Sequence, residues 1–456
     1  MPEIVLSPAT RISGLLSVIV RLEGRTVVDA ECRGEQFRGF ERIMRGRRAD
    51  DAVYLTQRIC GICSMAHGFT AARAVERAYG DEPAPAARRL RQAMLGAEFL
   101  QNHLRHFYLL ALPDYLYLPD GPFAGETTDR RFTPAQTQEL QRHYFAAVGA
   151  SRKAHEMLAV FGGKAPHQHG LVRGGAAVRP TADRQAQFLS LLDEIRAFIL
   201  DFLLPDAKLL ASTYPDYFAL GRRPAAFISY GLFDPGLGGA FAPGVIPGRP
   251  GEMPDPAKIE EDIEHSWFRQ VEGAAVPDAA KESAYSWVTA PRYAGLAMEC
   301  GPIARLILSG LRPPAPAGTM DRILARAEET ALIAGWMREW VAGLPPDAEY
   351  VTRAAGPPAA RGLGMNDAPR GALLHELTLN GENIETYRII TPSTWNFSPK
   401  DRSGRPGPVE QALIGTSIGD PAHPVEIGRI IRAFDPCLSC GTHHIMVEKG
   451  SEGIDR

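Results

Sequence analysis

The beginning of the chain alternates apolar and polar positions. In "LLSVIVRLEGRTVVDAECRG", Val18, Val20 and Leu22 are separated by single residues, and a Glu-Gly pair divides them from a second run rich in β-branched residues. A period of two is typical of a strand with one buried face, and a glycine between two such runs favours a turn. The pattern therefore predicts a β-hairpin near the start of the chain.

Longer segments carry apolar residues at every third or fourth position, which is the period of a helix with one buried face. Helices are predicted at "GFTAARAVERAYG", which ends at Gly80, and at "ARRLRQAMLGAEFLQNHLRHFYLLALPDYL". Three more are predicted at "TPAQTQELQRHYFAAVGASRKAHEMLAVFGG", "TADRQAQFLSLLDEIRAFILDFLLPD" and "MDRILARAEETALIAGWMREWVAGLPP". Thr133 is a suitable N-cap for the first of these, with Pro134 at its first position. The pattern predicts a bundle of long helices.

Two other segments have a different character. "LFDPGLGGAFAPGVIPGRPGEMPDP" is rich in Gly and Pro, and we interpret it as an ordered-to-mobile surface excursion rather than a domain linker. "LLHELTLNGENIETYRIITP" places an Asn-Gly turn between two β-type runs, so sheet returns near the end of the chain. The predicted fold is mainly α with smaller β portions (α+β): a long-helix core flanked by N- and C-terminal sheet segments, in one domain over residues 1–456.

Composition excludes some classes of function. The chain has 456 residues, 45% of them hydrophobic, so it can bury a large core. A formal net charge of −3 and the lack of a Lys/Arg block argue against binding to nucleic acid. No stretch reaches the roughly 18 apolar residues of a membrane span. We expect a soluble cytoplasmic subunit, or one that reaches a membrane or the periplasm only through a partner.

Cysteines give the strongest chemical signal. The chain contains Cys32, Cys60, Cys63, Cys300, Cys437 and Cys440. Four of them form two Cys-x-x-Cys pairs near opposite ends, in "QRICGICSMAH" and "DPCLSCGTHH", and a histidine follows each pair. Two intervening residues let both thiolates of a pair bind one ion, so the usage favours metal or redox chemistry over a disulfide scaffold. Cys32 and Cys300 lie outside the pairs and are predicted to be inert core residues.

Structural zinc is one interpretation of the two pairs. Zinc ribbons and knuckles keep their pairs within about 20 residues, because they staple a small module. Here nearly the whole chain separates the pairs. A soft pocket of four thiolates also suits nickel, iron or an iron-sulfur cluster.

The two motifs resemble the terminal signatures of the large subunit of nickel-iron hydrogenases, Arg-x-Cys-Gly-x-Cys-x-x-x-His and Asp-Pro-Cys-x-x-Cys-x-x-His. Further segments resemble blocks of that family in the same order: "FRGFERIMRGR", "NHLRHFYLLALPD", "FGGKAPH", "YSWVTAPRYAGLAMECGPIAR" and "DAPRGALLHELTLNGENIETYRIITPSTWNFSP". The similarity spans nearly the whole chain apart from residues 205–280. It implies the fold of that family and reversible heterolytic cleavage of H2 into protons and electrons.

The resemblance also implies a cofactor, a Ni-Fe(CN)2CO centre. Nickel would be bound by all four paired cysteines: Cys60, Cys63, Cys437 and Cys440. Cys63 and Cys440 would also bridge to the iron. By the same resemblance, His67 donates a hydrogen bond to a bridging sulfur and Ser393, in "PSTWN", bonds an iron cyanide. The alternatives are a satisfied core histidine and a turn serine. His103 and His106 lie one helical turn apart and are predicted to serve in packing or hydrogen bonding.

Charged residues are expected above the metals. The resemblance places Arg370, in "APRG", over the open metal position, and pairs it with Asp435 and Asp114. From the residues alone, the alternatives are a buried salt-bridge arginine for Arg370, a turn residue for Asp435 and a helix-end residue for Asp114. Glu41 and His443 match the ligands of a second cation, usually magnesium (Mg2+). Residues 444–456 resemble a tail that a maturation protease removes after His443.

One position departs from the family pattern. Most members read Arg-Ile-Glu-Gly-His near the N-terminus, where the glutamate relays protons, but this chain reads "RISGL" with Ser13 and Leu15 at those places. The pKa of a serine hydroxyl is too high for it to store a proton near neutral pH. Our hypothesis is that Ser13 passes protons together with an ordered water or a nearby carboxylate.

A partner is also implied. Six cysteines, four of them assigned to the metals, are too few for a chain of iron-sulfur clusters. Electrons would therefore leave through an iron-sulfur small subunit across a large interface. Two other functions stay open: an H2 sensor, which keeps the same ligands, and a non-catalytic relative in complex I, whose cysteines are lost.

Overall fold

The structure is a computed structural model that describes residues 2–116, 129–271, 274–355 and 358–441. Its helices are α1 Phe40–Met44, α2 Asp51–Leu55, α3 Ser64–Tyr79, α4 Pro85–Arg105, α5 Pro134–Gly162, α6 Ala182–Phe198, α7 Leu204–Thr213, α8 Pro302–Leu308, α9 Thr319–Val341, α10 Pro392–Asn396, α11 Pro408–Leu413, α12 Val425–Ala433 and α13 Leu438–Gly441. Its strands are β1 Glu3–Leu6, β2 Leu16–Glu23, β3 Thr26–Gly34, β4 Leu171–Val172, β5 Gly175–Ala176, β6 Phe227–Leu232, β7 Phe241–Ile246, β8 Ile259–Asp262, β9 Phe268–Val271, β10 Ala274–Pro277, β11 Ala290–Tyr293, β12 Arg361–Ala368, β13 Gly371–Asn380 and β14 Asn383–Ile390. The predicted mainly helical α+β fold is confirmed.

The long helices pack around α4, which contacts both α5 and α9. Gly96 permits the close crossing of α4 and α9, because a Cβ at this position would lie 2.7 Å from the sulfur of Met337. Helix α5 begins as predicted: Thr133 is its N-cap, and Thr133 and Gln136 form a capping box. The core helix α4 is buried along most of its length, so polar residues on it face the protein interior.

The N-terminal hairpin is confirmed. Strands β2 and β3 pair antiparallel, with Val18 opposite Cys32 and Val20 opposite Ala30, and β1 adds to the outer edge of β2. The three apolar positions that defined the pattern are buried, and Cys32 is buried among them. This sheet forms a second core with the C-terminal helices, so the two ends of the chain lie together.

The second predicted hairpin forms the sheet β12-β13-β14, with its turn at Gly381. This sheet packs closely on α3, and a Cβ at Gly364 would meet the backbone carbonyl of Thr70. Arg370 lies in the turn between β12 and β13. The packing therefore brings the turn that carries Arg370 to the start of α3, where the first cysteine pair lies.

The Gly/Pro-rich segment contains a strand that the sequence pattern did not predict. This strand, β7, pairs with the buried strand β6 despite Pro243 and Gly244. β6 and β7 form a two-stranded sheet, so Pro243 lies on an edge strand. Among the described residues, no third strand there requires the N–H group that a proline lacks. The helix predicted at "TADRQAQFLSLLDEIRAFILDFLLPD" is divided in the structure, because a π-helical turn, Ile199–Leu203, separates α6 from α7. Within the described ranges, we find no helix of sufficient length and apolarity to span a membrane.

Candidate metal centre

The first cysteine pair lies where a short 3-10 turn ends and α3 begins. Cys60 follows the turn Thr56–Ile59, and Cys63 is the N-cap residue of α3. Both cysteines are buried, whereas Gly61 between them is exposed. The amide of Ile62 donates to Cys60 Sγ at 3.3 Å. The pair therefore lies beneath a surface loop with both sulfurs turned inward.

The second pair is positioned by contacts with the N-terminal segment. Ser13 forms a parallel β-bridge with Cys437, and its carbonyl oxygen accepts from the amide of Leu438 at 2.7 Å. The amide of Cys437 donates to Ser393 Oγ at 3.0 Å. Cys440 follows within the short helix α13. Ser13 and Ser393 thus reach the second pair on opposite sides of its backbone.

All four sulfurs meet at one point. The Sγ atoms of Cys60, Cys63, Cys437 and Cys440 lie within 4.8 Å of one another, and all are buried. Cys60 and Cys437 are 3.3 Å apart, Cys63 and Cys440 are 3.4 Å apart, and Cys437 and Cys440 are 2.9 Å apart. The sulfurs are not joined by disulfide bonds. Four buried soft donors around one point fit a soft transition metal such as nickel.

Electrostatics also favour a cation at this point. Hydrogen bonds from the other three cysteines lower the pKa of Cys60 well below its usual value. The hydrogen bond with Cys437 raises the pKa of Cys63, while burial raises the pKa of Cys440. Desolvation thus opposes four thiolates in one water-free site, and the positive charge of a metal compensates for it.

Arg370 and Asp435 form a buried ion pair beside the sulfurs. Arg370 Nε donates to the carbonyl oxygen of Asp435 at 2.9 Å, and its Nη2 lies 3.0 Å from the carboxylate. Asn102 Nδ2 donates to the other carboxylate oxygen at 2.9 Å. Burial disfavours the charged forms of both residues, but their mutual attraction is stronger. The pKa of Asp435 is therefore lowered and that of Arg370 is raised. Arg370 Nη1 is buried and has no partner among the described residues.

We predicted that Asp114 pairs with Arg370, but the structure gives Asp114 other partners. Its carboxylate accepts from Arg432, at 2.5 Å from Nε and 2.6 Å from Nη2, and also from Arg11. Burial acts to raise the pKa of Asp114, but Arg432 and Arg11 outweigh it and lower the pKa. Asp114 therefore anchors the N-terminal segment and α12 to the short turn Leu112–Asp114, which follows α4 in the chain. The expected pairing of Arg370 holds for Asp435 alone.

His67 lies in a row of buried aromatic side chains. Its Nδ1 is 3.1 Å from His375 Nε2, and His375 Nδ1 is 2.9 Å from the hydroxyl of Tyr387. Burial lowers the pKa of His67 to about 4, so the ring is neutral at physiological pH. No hydrogen bond joins His67 to a cysteine sulfur in the described part of the chain. Its predicted donation to a bridging sulfur stays a prediction.

The proposed second cation site is only partly described. Glu41, in α1, is buried, and its Oε1 accepts from the amide of Ile389 at 2.6 Å. His443 and the predicted tail lie outside the described residues. Magnesium binding at these positions therefore stays a prediction.

The remaining predictions for single residues have clear outcomes. Cys32 and Cys300 are buried, and burial raises the pKa of both thiols, as expected of inert core cysteines. His103 Nε2 lies 2.9 Å from Glu329, and His106 Nε2 lies 2.6 Å from the carbonyl oxygen of Arg432. Both histidines therefore act in hydrogen bonding, as predicted.

Sequence reasoning missed the buried carboxyl of Glu98. This side chain, on α4, accepts from the amides of Met65 and Ala66 at 2.6 and 2.9 Å. One signal was available, because Glu98 interrupts the apolar run "AMLGAEFL" within a predicted core helix. A charged residue on such a face is buried only with partners.

A buried centre of four cysteines beside an ion pair is typical of a metalloprotein with a transition-metal site, and comparisons with known proteins identify its class. A family model described as nickel-dependent hydrogenase matches residues 38–121, 121–314 and 309–443. The chain is 36% identical to the periplasmic [NiFeSe] hydrogenase large subunit of Desulfomicrobium baculatum, over 99% of this chain and 97% of that protein. It is 28% identical to the hydrogenase-1 large chain of Escherichia coli K12, over 99% and 96%.

The fold matches as well. The Ni-Fe-Se hydrogenase of Desulfovibrio vulgaris Hildenborough in its reduced state superimposes with a TM-score of 0.90 and 35% identity, covering 97% of this chain and 100% of that one. The chain belongs to the nickel-dependent hydrogenase family. It is the large subunit of a hydrogenase, an oxidoreductase that uses H2, so the predicted family is confirmed.

Proposed function

We propose that this chain catalyses the reversible heterolytic cleavage of H2 into protons and electrons at a Ni-Fe(CN)2CO centre. The observation that carries the proposal is the single cluster of four buried sulfurs close to the ion pair of Arg370 and Asp435. Soft thiolates stabilise a redox-active metal, and burial excludes water from it. When bound, the two metals supply the Lewis acidity and the redox chemistry.

The cysteines divide the work in this proposal. All four would hold nickel, and Cys63 and Cys440, the second members of the two pairs, would also hold the iron. Cys60 and Cys437 then bind nickel alone, and a terminal thiolate accepts the proton that H2 releases. The 3.4 Å between the sulfurs of Cys63 and Cys440 supports this division, because two residues that bridge the same two metals must lie close together.

Arg370 and Ser393 act on the diatomic ligands. Arg370 Nη1 is buried without a partner among the described residues, whereas Nε and Nη2 contact Asp435, so both N–H groups of Nη1 remain for a ligand or for substrate. The Ser393 hydroxyl accepts from the amide of Cys437, and its own hydrogen is left for an iron cyanide. Asp435 orients Arg370, while Asp114 acts at a distance by anchoring the surrounding backbone.

An iron-sulfur small subunit receives the electrons. Large apolar side chains are exposed at Leu15, Phe37 and Tyr54. They flank both cysteine motifs: Arg38, the neighbour of Phe37, donates to the carbonyl oxygens of Ser439 and Arg58. The partner binds this face. Cellular location follows from that partner, which carries the complex to the periplasm or a membrane if it bears an export signal and otherwise leaves it in the cytoplasm.

Two further features belong to the same proposal. Glu41, His443 and water bind magnesium, and a Glu41→Gln variant loses that ion if this assignment is right. A maturation protease removes residues 444–456 after nickel insertion. An intact mass of the nickel-loaded protein that still includes this tail contradicts the second assignment. The chain, residues 1–456, is one domain.

Ser13 is the proposed start of a proton route at the second cysteine pair. Its backbone pairs with Cys437, which keeps its side chain beside the centre. If Ser13→Ala leaves H2 oxidation and isotope exchange at the wild-type rate, Ser13 takes no part in proton transfer.

The proposal is tested by metal and infrared measurements on the purified holoenzyme. We expect nickel and iron in equal amounts, infrared bands of carbon monoxide and cyanide, and H2 oxidation with an artificial acceptor. Zinc in place of nickel and iron contradicts the proposal. An intact centre with bands that respond to H2 but very slow turnover indicates a sensor.

A further inference from the structure

One face of α4 carries polar side chains from the metal centre towards the protein surface. Glu98, Gln101 and Arg105 are spaced three and four residues apart, so they lie on the same side of the helix. Glu98 and Gln101 are buried, whereas Arg105 is partly exposed. No residue of this set has a role in the function proposed above. Polar groups at three successive positions of a core face call for a physical explanation.

Glu98 lies at the start of α3, next to the first cysteine pair. The N-cap residue Cys63 makes no side-chain cap, because its sulfur faces the cluster. Glu98 supplies the missing acceptor from the neighbouring helix: Oε2 accepts from the amide of Met65, and Oε1 accepts from that of Ala66. A second lone pair on each oxygen remains for a proton or a water molecule. A proton-accepting group therefore lies within one helical turn of a metal ligand.

Charges around Glu98 decide its protonation. Burial raises its pKa to about 8; the amides of Ala66 and Met65 oppose the rise, Cys60 adds to it, and Arg370 opposes it. These groups face Glu98 from the loop before α3, from α3 itself and from the turn between β12 and β13. A carboxyl with this pKa both takes up and releases protons near neutral pH.

Gln101 continues the row one turn further along α4. Its side chain is fully buried, and neither Oε1 nor Nε2 has a hydrogen-bond partner among the described residues. Leaving a buried donor or acceptor unsatisfied costs about 1–3 kcal/mol each. An amide that both donates and accepts, and that the protein leaves unpartnered, is suited to an ordered water chain.

Arg105 ends the row one turn beyond Gln101. This residue is partly exposed, whereas Glu98 and Gln101 are buried, so the polar face of α4 reaches solvent at this end. Water beside Gln101 can therefore exchange protons with the solvent at Arg105.

We propose that Glu98 and Gln101 line a proton path that leads from the cysteine cluster along α4 to the partly exposed Arg105. The path rests on the function proposed above. Each H2 gives two protons and two electrons, and the electrons pass to the one-electron carrier of the partner. For each proton, an S–H bond at a cysteine breaks and an O–H bond at the Glu98 carboxylate forms, through water where needed. Glu98 then releases the proton to water beside Gln101, which returns the carboxylate to its starting state.

Two variants test the path in the holoenzyme. Glu98→Gln removes the titrating group, and Gln101→Leu removes the water-binding amide without breaking a protein hydrogen bond. The matched controls are Glu156→Gln, on the exposed face of α5, and Gln187→Leu, on the exposed face of α6. Nickel and iron contents establish that each variant has assembled its centre.

Conversion of para-hydrogen requires cleavage of H2 but no exchange of protons with solvent, whereas isotope exchange between H2 and D2O requires both. We expect Glu98→Gln to keep the conversion and to lose isotope exchange by about a hundredfold, the typical contribution of a positioned proton donor. Gln101→Leu shows a smaller loss of the same kind, and both controls match the wild type. Wild-type isotope exchange in Glu98→Gln or in Gln101→Leu overturns the path.

An infrared titration gives a readout that is independent of turnover. In the difference between the titrations of the wild type and Glu98→Gln, we expect a protonated-carboxyl band that disappears between about pH 7 and pH 9, since the difference cancels other buried carboxyls such as Glu410. The absence of this band from the difference spectrum overturns the assignment. If the wild type converts no para-hydrogen, the proposed function fails and the path with it. If the wild type converts para-hydrogen and either variant exchanges isotopes at the wild-type rate, the path alone fails.

Discussion

Arg370 binds Asp435 twice, through Nε to the backbone carbonyl oxygen and through Nη2 to the carboxylate at 3.0 Å. Contacts from two nitrogens fix the plane of the guanidinium, which a single ion pair does not. Asn102 fixes the other side of the carboxylate. The direction of Arg370 Nη1 is thus set by the backbone just before Cys437, so the arginine and the second cysteine pair move together.

The first prediction concerns this ion pair. Arg370→Met leaves the carboxylate of Asp435 buried without its cation, and breaking a buried pair in this way costs about 3–5 kcal/mol. The double variant Arg370→Met/Asp435→Asn removes both charges, so we expect it to be more stable than Arg370→Met alone. Urea unfolding of the metal-free proteins measures the difference. Strictly additive effects would show that the two residues do not interact.

The second prediction concerns the metal ligands. Cys437→Ser replaces a soft thiolate with a hydroxyl that does not ionise, so we expect the nickel content of the purified variant to fall to background. Cys32→Ala is the control, because Cys32 is equally buried but lies in the N-terminal sheet. Metal analysis of both proteins decides the point. Full nickel occupancy in Cys437→Ser would remove this residue from the ligand set.

The third prediction concerns the contact between the chain ends. Gly14 has a φ of 86°, and a Cβ at this position would collide with the backbone nitrogen of Ser439. Gly24 has a φ of 60°, but a Cβ there meets nothing within 4 Å. Both alanine variants carry the strain of a positive φ, about 1 kcal/mol. We expect only Gly14→Ala to lose nickel as well, and equal metal contents in the two variants would contradict this.

The fourth prediction concerns pH. Burial raises the pKa of Glu410 to about 7, although the amides of Cys32 and Gly407 and the hydroxyl of Tyr285 oppose the rise. Between the unfolded value of 4.5 and about 7, the folded protein binds more protons than the unfolded one. Stability therefore falls as pH rises through this window, by about 3 kcal/mol in total.

Glu410→Gln removes this titration, at the cost of one amide contact. We expect the variant to be less stable than the wild type at pH 5 and to show a flatter dependence of the unfolding midpoint up to pH 8. Thermal unfolding of the metal-free proteins measures both slopes. An unchanged slope would mean that Glu410 does not titrate in this range.

Local patterns predicted much of the fold. The hairpin of Val18, Val20 and Leu22, the cap at Thr133 and the Asn-Gly turn all follow from short-range rules, and the structure has all three. Strand β7 was missed because Pro243 and Gly244 lower strand propensity, whereas pairing with the buried strand β6 overrides it.

The sequence predicted the cysteine ligands of the site but not all the contacts of the residues around them. Spacing and resemblance identified all four cysteines, since each pair is local in sequence. The predicted partner of Asp114, Arg370, was wrong. Arg11 and Arg432 approach Asp114 from distant segments that no local pattern connects. The cap that Glu98 places on α3 was missed for the same reason, since it joins two helices.

The parallel bridge between Ser13 and Cys437 has a consequence for biosynthesis. The ribosome releases Ser13 and the first cysteine pair early, but the bridge and the second pair form only when nearly the whole chain has emerged. Until then, Cys60 and Cys63 are two exposed thiols without the other half of their binding site. Metal delivery must therefore wait for the last part of translation or follow it, and a factor that shields the first pair in the meantime would protect it from oxidation.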